Sequence, residues 1–182
     1  MKSVGTKEIR TERLMLRRFR MEDAEEVYKN YGSDPEVGKY IAYRPCKTIE
    51  SSIAFVSIHE IQYLEEPDFY GWAVDLNGEV VGSVGLFHIN KEEGSCEIGM
   101  SLGSKWWNNG YMTEAVSALI KFAFEEMEAK RVYGSHHIDN KASGRVMQKC
   151  GMEFVEIIEN GQENADGTVS DLVVYEMKSF EF

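Results

Sequence analysis

"CEIGMSLGSKWWNNGYMTEAVSALIKFAFEE", residues 96–126, joins a strand to a helix through a loop of quite different composition. Its first seven residues are small or apolar apart from Glu97 and Ser101, and read as a β-strand. Further on, Val116, Leu119, Ala123 and Met127 share one helical face, and Thr113 and Glu114 begin a helix predicted over roughly 113–129. Between them stand Trp106, Trp107, Asn108, Asn109 and Gly110. Asn-Asn-Gly is poor material for a helix interior, and large indoles are costly to expose. That composition raises the question of what the loop does at the helix N-terminus. The first four N–H groups of a helix lack intrahelical acceptors, and the helix dipole adds partial positive charge there. A loop rich in Asn and Gly leading into that end makes a cradle for phosphate oxygens. Gly110 can take positive φ and lets an anion approach the backbone, while the Thr113 hydroxyl caps the helix or bonds a phosphate. A plain turn with Thr113 as N-cap fits the same residues. Neither Gly-x-Gly-x-x-Gly nor Gly-Lys-Ser/Thr is present, so a dinucleotide fold and a P-loop find no support.

Working outward, the stretch before this strand has period two. Tyr70, Trp72, Val74 and Leu76 alternate, Asn77-Gly78 supplies a tight turn, and "EVVGSVGLFHI" (79–89) returns as the partner strand. Upstream, Ala24, Val27, Tyr28 and Tyr31 form a helical stripe, residues 33–46 read as a loop or short turn, and Thr48 caps a helix carrying Ile49, Ile53, Val56 and Tyr63. Downstream, "RVYGSHH" (131–137) reads as a strand and "DNKASGRVMQKCG" (139–151) as a short helix ending at Gly151. Strands over 153–161 and 169–180 close the chain. The order β-α-α-β-β-β-α-β-α-β-β predicts an α/β (α+β) fold: one domain over 1–182 with a single mixed, mostly antiparallel twisted sheet and helices on both faces.

Composition narrows the function. The chain has 182 residues, 43% hydrophobic, with 31 acidic against 20 basic residues and a net charge of −11. That charge disfavours nucleic acid, and "RLMLRRFR" (13–20) reads as a half-exposed strand with Leu14 and Leu16 against Arg13 and Arg17. An acidic protein instead attracts cationic substrates such as amines. No run of eighteen apolar residues and no signal-peptide stretch occurs, so the expectation is a cytoplasmic protein without a membrane partner, monomeric or homodimeric. Cys46, Cys96 and Cys150 read as reduced thiols, and His59, His88, His136 and His137 form no metal pattern.

Three separated stretches, 96–126, 131–154 and 11–41, together resemble the GNAT acyl-CoA N-acyltransferases, and most of all their ribosomal-protein N-terminal acetyltransferase branch. The resemblance implies the GNAT fold, acetyl-CoA as cosubstrate and direct acetyl transfer to an amine: a protein N-terminus, or a small amine such as a polyamine or aminoglycoside. A non-catalytic acyl-CoA-binding module is the alternative. It implies that Asn108, Asn109, Gly110, Tyr111, Met112 and Thr113 hold the pyrophosphate through backbone amides. Of the family's Gln/Arg-x-x-Gly-x-Gly/Ala loop only Gly110 matches squarely, with Trp107 and Met112 at the other two positions. Met100, Ser101 and Leu102 correspond to the strand edge that pairs with pantetheine, and Trp106 and Trp107 are either a wall beside the cofactor or ordinary core.

Amine acetylation needs a neutral amine, a polarised thioester oxygen and a stabilised leaving thiolate. Glu97, alone in an apolar strand where the family often has Glu, is the candidate base; a solvent-facing strand residue is the alternative. Its neighbours in alternation, Gly99 and Ser101, leave room beside it. The resemblance places Asn140 near the pantetheine arm, Ser143 near the thioester sulfur and Arg145 near the CoA phosphates, although Asn140 and Ser143 also suit helix capping. Met147 stands where many relatives carry a proton-donating Tyr, which leaves that role to Ser143 or water.

Overall fold

Asn77 and Gly78 both take positive φ, 56° and 90°, and fold β3 (Tyr70–Leu76) tightly back into β4 (Glu79–Asn90). This is the hairpin turn whose twist suits paired strands. Around it, the computed structural model, which describes residues 1–40, 48–164 and 167–179, builds one eight-stranded sheet. β1 (Ile9–Arg10) and β2 (Met15–Arg17) extend the sheet on one side of the hairpin, and β5 (Ser95–Leu102) on the other. Then come β6 (Arg131–His137), β8 (Val169–Lys178) and β7 (Glu153–Glu163), giving the order β1-β2-β3-β4-β5-β6-β8-β7. Every pairing is antiparallel except β5 with β6, so the sheet is mixed as expected. The two-residue β1 was not anticipated; no alternation is legible in so short a strand. Cys46 lies outside the described residues.

Helices cover both faces. α4 (Tyr111–Glu125) lays Ala115, Val116, Leu119 and Ala123 on one face of the sheet, against Trp72, Val84, Cys96 and Ile98. α5 (Lys141–Lys149) adds Met147 to this core. The opposite face is covered by α1 (Ala24–Val27) and α3 (Ile49–Glu65), through Val27 and Val56 against Ala73 and Val80.

Three local expectations change. The stripe at 24–31 is not one helix but a 3₁₀ turn at Met21–Asp23, α1, and a π turn at Tyr28–Gly32, followed by one-turn α2 (Pro35–Gly38), which Asp34 caps. On α3, Val56 and Tyr63 of the predicted stripe do pack inward, joined by Ser52 and Phe55, whereas Ile53 is exposed. Arg17 is 7% exposed rather than solvent-facing: its guanidinium bonds Asp23 at 2.8 and 2.9 Å and Asp75 at 2.8 Å. Alternation in β2 separates two covered faces, not a dry face from a wet one, and a buried charge must be paired.

Candidate active site

β5 and β6 run together for only three residues, Ser95–Glu97 against Arg131–Tyr133. Beyond Glu97 they part, and both the backbone and side chain of Ile98, with Met147 of α5, press on Gly134, where a Cβ would lie 2.9–3.0 Å from Met147 Cε and Ile98 Cγ2. Met147 is therefore core, 1% exposed, and takes no part in the cleft that opens further along.

That cleft has a volume of about 500 Å³. One wall is Met100, Ser101 and Leu102 of β5; a second is Trp107, Asn108, Gly110, Tyr111, Met112 and Thr113; a third is Asn140, Ser143 and Arg145 of α5. The structure thus gathers all but two of the expected site residues, Asn109 and Glu97, around one space.

The loop geometry has local causes. Asn108 and Gly110 both have positive φ, 62° and 80°, and Gly110 is the N-cap of α4. The helix therefore starts at Tyr111, two residues earlier than expected, and Thr113 is its third residue rather than its cap. The first α-helical bond runs from Glu114 N–H to the Gly110 carbonyl at 3.0 Å, and no side chain caps this end. The amides of Tyr111, Met112 and Thr113 thus have no acceptor inside the helix, and their residues line the cleft. Asn109 closes the loop instead: its amide donates to the carbonyls of Trp106 and Trp107 at 3.2 and 2.9 Å. Both indoles line the cleft, and one also serves the core: Trp106 is 8% exposed and packs in the core, whereas Trp107 is 38% exposed, its Nε1 donating to the Leu102 carbonyl at 2.7 Å.

On α5, Asn140 is the N-cap and accepts from Ser143 N–H at 3.2 Å, so capping and cleft lining coincide in the same residues. The sequence reading missed Lys141 and Lys149, which stand one helical turn either side of Arg145 and line the cleft with it. Their spacing of four was the signal. In a chain of net charge −11 this basic stripe stands out. From the other side Glu36, Lys39 and Tyr40 complete the rim, with the Tyr40 ring 5.1 Å from that of His137.

Glu97 lies where the strands part, but not in the cleft wall. Alternation turns it away from the α4 face that receives Cys96 and Ile98. Its carboxylate is held between His88 Nδ1 at 2.6 Å and the Ser135 hydroxyl, which donates at 2.9 Å. The room expected over Gly99 is filled: the Phe87 ring reaches within 2.6 Å of where a Cβ would sit at Gly99 and 2.8 Å at Gly85. Neither described thiol is an available nucleophile. Burial pushes Cys96 up to about 12, and burial likewise raises Cys150, against a hydrogen bond with Ser117 that lowers it.

Residues 13–153 match the model of the acetyltransferase (GNAT) domain. The chain is 33% identical to the uncharacterized N-acetyltransferase YnaD of Bacillus subtilis, covering 85% of this chain and 90% of that one, and 28% identical to the uncharacterized N-acetyltransferase p20 of Bacillus licheniformis, covering 94% and 96%. Over a shorter stretch, 38% of this chain and 32% of the other, it is 32% identical to the [ribosomal protein uS5]-alanine N-acetyltransferase of Escherichia coli. The solved structure of a GNAT-family acetyltransferase from Bacillus anthracis superposes with a TM-score of 0.83 at 29% identity, covering 96% of this chain and 100% of that one.

Proposed function

This chain belongs to the GNAT acetyltransferase family, and we propose that it moves the acetyl group of acetyl-CoA directly to a primary amine, in the first place the N-terminal amine of a protein. The observation that carries the reading is the cleft between the end of β5, which no longer pairs with β6, and α5, with uncapped helix amides at one wall and Lys141, Arg145 and Lys149 at another. A phosphate-bearing donor with an amide-rich arm fits that donor set. Backbone N–H groups and a basic stripe suit phosphates, and an unpaired strand edge suits amides. In this reading Asn108, Gly110, Tyr111, Met112 and Thr113 hold the pyrophosphate, and Arg145 with its two lysine neighbours holds the remaining phosphate. Met100, Ser101, Leu102 and Asn140 line the pantetheine arm. Asn109 acts by shaping the loop.

Bound acetyl-CoA supplies the activated acyl group. The chain's own residues orient it and manage protons. Glu97 takes the amine proton, directly or through a water, on the face opposite α4; the bonds from His88 and Ser135 fix its carboxylate. Ser143, which lines the cleft, donates through its hydroxyl to the leaving thiolate. Transfer is direct in this reading: of the two described thiols, Cys96 is buried and burial raises both Cys96 and Cys150, which disfavours the thiolate an acyl-enzyme would need.

The E. coli relative that acts on a ribosomal protein supports a protein N-terminus as acceptor. The test is release of free CoA thiol from acetyl-CoA with three sets of acceptors: peptides with free N-termini, polyamines and aminoglycosides. Turnover with peptides, lost on blocking their α-amine, is the expected result. Turnover with polyamines or aminoglycosides alone would assign a small amine. Tight acetyl-CoA binding with no turnover on any amine would leave a binding module.

A further inference from the structure

The end of α4 that borders the cleft carries a negative charge of its own. Glu114 sits in the first turn, immediately after Thr113, and its side chain is only 17% exposed. An acidic residue there suits the helix dipole, but it stands close to where the donor's phosphates are assigned, and like charges repel. The charge is answered from a segment 101 residues earlier in the chain. Arg13 donates to Glu114 twice, through its backbone N–H at 2.8 Å and its Nε at 2.7 Å, and the Thr11 hydroxyl donates at 2.5 Å. Burial alone would raise the Glu114 carboxyl, yet the bonds from Thr11 and Arg13 outweigh it and hold the group below its ordinary value, ionised. The same guanidinium donates to the Asn109 carbonyl at 3.0 Å, lies 4.6 Å from the centre of the Tyr111 ring, and sits 3.4 Å from where a Cβ on Gly110 would be. One side chain therefore touches three consecutive loop residues and the carboxylate behind them.

We infer that Arg13 is a positioning residue for the phosphates of the donor: it neutralises Glu114 and braces the 109–111 backbone, so that the first amides of α4 meet an anion without an opposing charge. This rests on the acetyl-CoA reading above. It explains why a carboxylate is tolerated beside an anion cradle: Glu114 ties the 11–14 turn to α4, and Arg13 removes its electrostatic cost. The arrangement involves Arg13 and Glu114 as a pair, so changing one should be correctable by changing the other.

The experiment compares two donors, acetyl-CoA and acetyl-pantetheine, which lacks the phosphates. In Arg13→Ala we expect KM for acetyl-CoA to rise about tenfold or more with kcat little changed, and the preference for acetyl-CoA over acetyl-pantetheine in kcat/KM to fall by the same factor. Raising the salt concentration should shrink the defect, because screening weakens like-charge repulsion. The double variant Arg13→Ala/Glu114→Gln should recover most of the lost preference. If Arg13→Ala does not fold, Arg13→Gln and Arg13→Gln/Glu114→Gln carry the same comparison. An equal loss with both donors, or no recovery in the double variant, overturns the proposal and leaves Arg13 a structural strut. A wild-type protein that does not distinguish the two donors would instead sink the acetyl-CoA reading of the cleft, and the proposal with it.

Discussion

Glu97 and Met147 lie on opposite faces of the same strand junction and call for opposite experiments. Glu97 is fixed by two hydrogen bonds on the face away from α4, at the last residue before β5 leaves β6. If it takes the amine proton, Glu97→Gln lowers turnover by about 10²-fold or more while KM for acetyl-CoA stays near its original value. Steady-state kinetics at saturating amine decides it, and unchanged turnover would make Glu97 a structural partner of His88. Met147, at the position of the family's tyrosine, is 1% exposed and packed on Gly134. A phenol there finds no cleft to enter. Met147→Tyr should overpack the junction and cost about 1–3 kcal/mol of stability, without a gain in turnover. A thermal melt measures the first; a faster variant would show that the side chain reaches the sulfur after all. Sequence could assign the residue type at position 147 but not the direction of its side chain, which depends on how α5 lies on the sheet.

At the scale of elements, the loop into α4 was the most legible part of the chain because its signals are local. Asn, Asn and Gly mark a break, and the apolar period marks the helix behind it. The start of that helix was misplaced by two residues because Gly110 itself, in the left-handed conformation, is the cap, and no hydroxyl is needed. That conformation makes a direct prediction. Gly110→Val forces a branched side chain into φ 80° and toward Arg13, so affinity for CoA should fall at least tenfold, about 1.4 kcal/mol. Calorimetry on a variant that melts normally checks it, and unchanged affinity would remove the loop from the binding site. The elements before α3 were less legible. A stripe of Ala24, Val27, Tyr28 and Tyr31 fits a helix, yet the chain there changes winding twice, and its opening 3₁₀ turn carries Asp23, one of the two aspartates that bond Arg17. The basic stripe on α5 was readable from spacing alone, but which face of a short helix meets a cleft is a tertiary fact.

Across the whole molecule, carboxylate contacts tie two of the cleft's walls to neighbouring segments and β8 to β6, which makes assembly sensitive to acid. Asp34 caps α2 and accepts from Ser104 N–H at 3.0 Å, tying the rim at residues 36–40 to the end of β5. Glu114 ties the 11–14 turn to α4, and Glu176 on β8 bonds Arg131 on β6 and Lys178. Burial opposes ionisation at each of the three, but bonds to Ser104, to Thr11 and Arg13, and to Arg131 and Lys178 respectively outweigh it, so all three carboxyls lie below their ordinary values in the folded state. A depressed folded value means that the unfolded chain takes up protons first as pH falls. These groups therefore contribute their stability above the unfolded carboxylate range, near pH 4, and lose it as pH falls further through their folded values. The expected outcome is a urea midpoint that is flat between about pH 6 and 8 and drops steadily below about pH 5. Glu176→Gln removes one of the groups: its midpoint should be lower than wild type at pH 7 and decline less steeply toward pH 3. A wild-type midpoint that does not change between pH 6 and pH 3 would mean that the pairs contribute equally in the folded and unfolded chains, and that the walls are held by apolar packing alone.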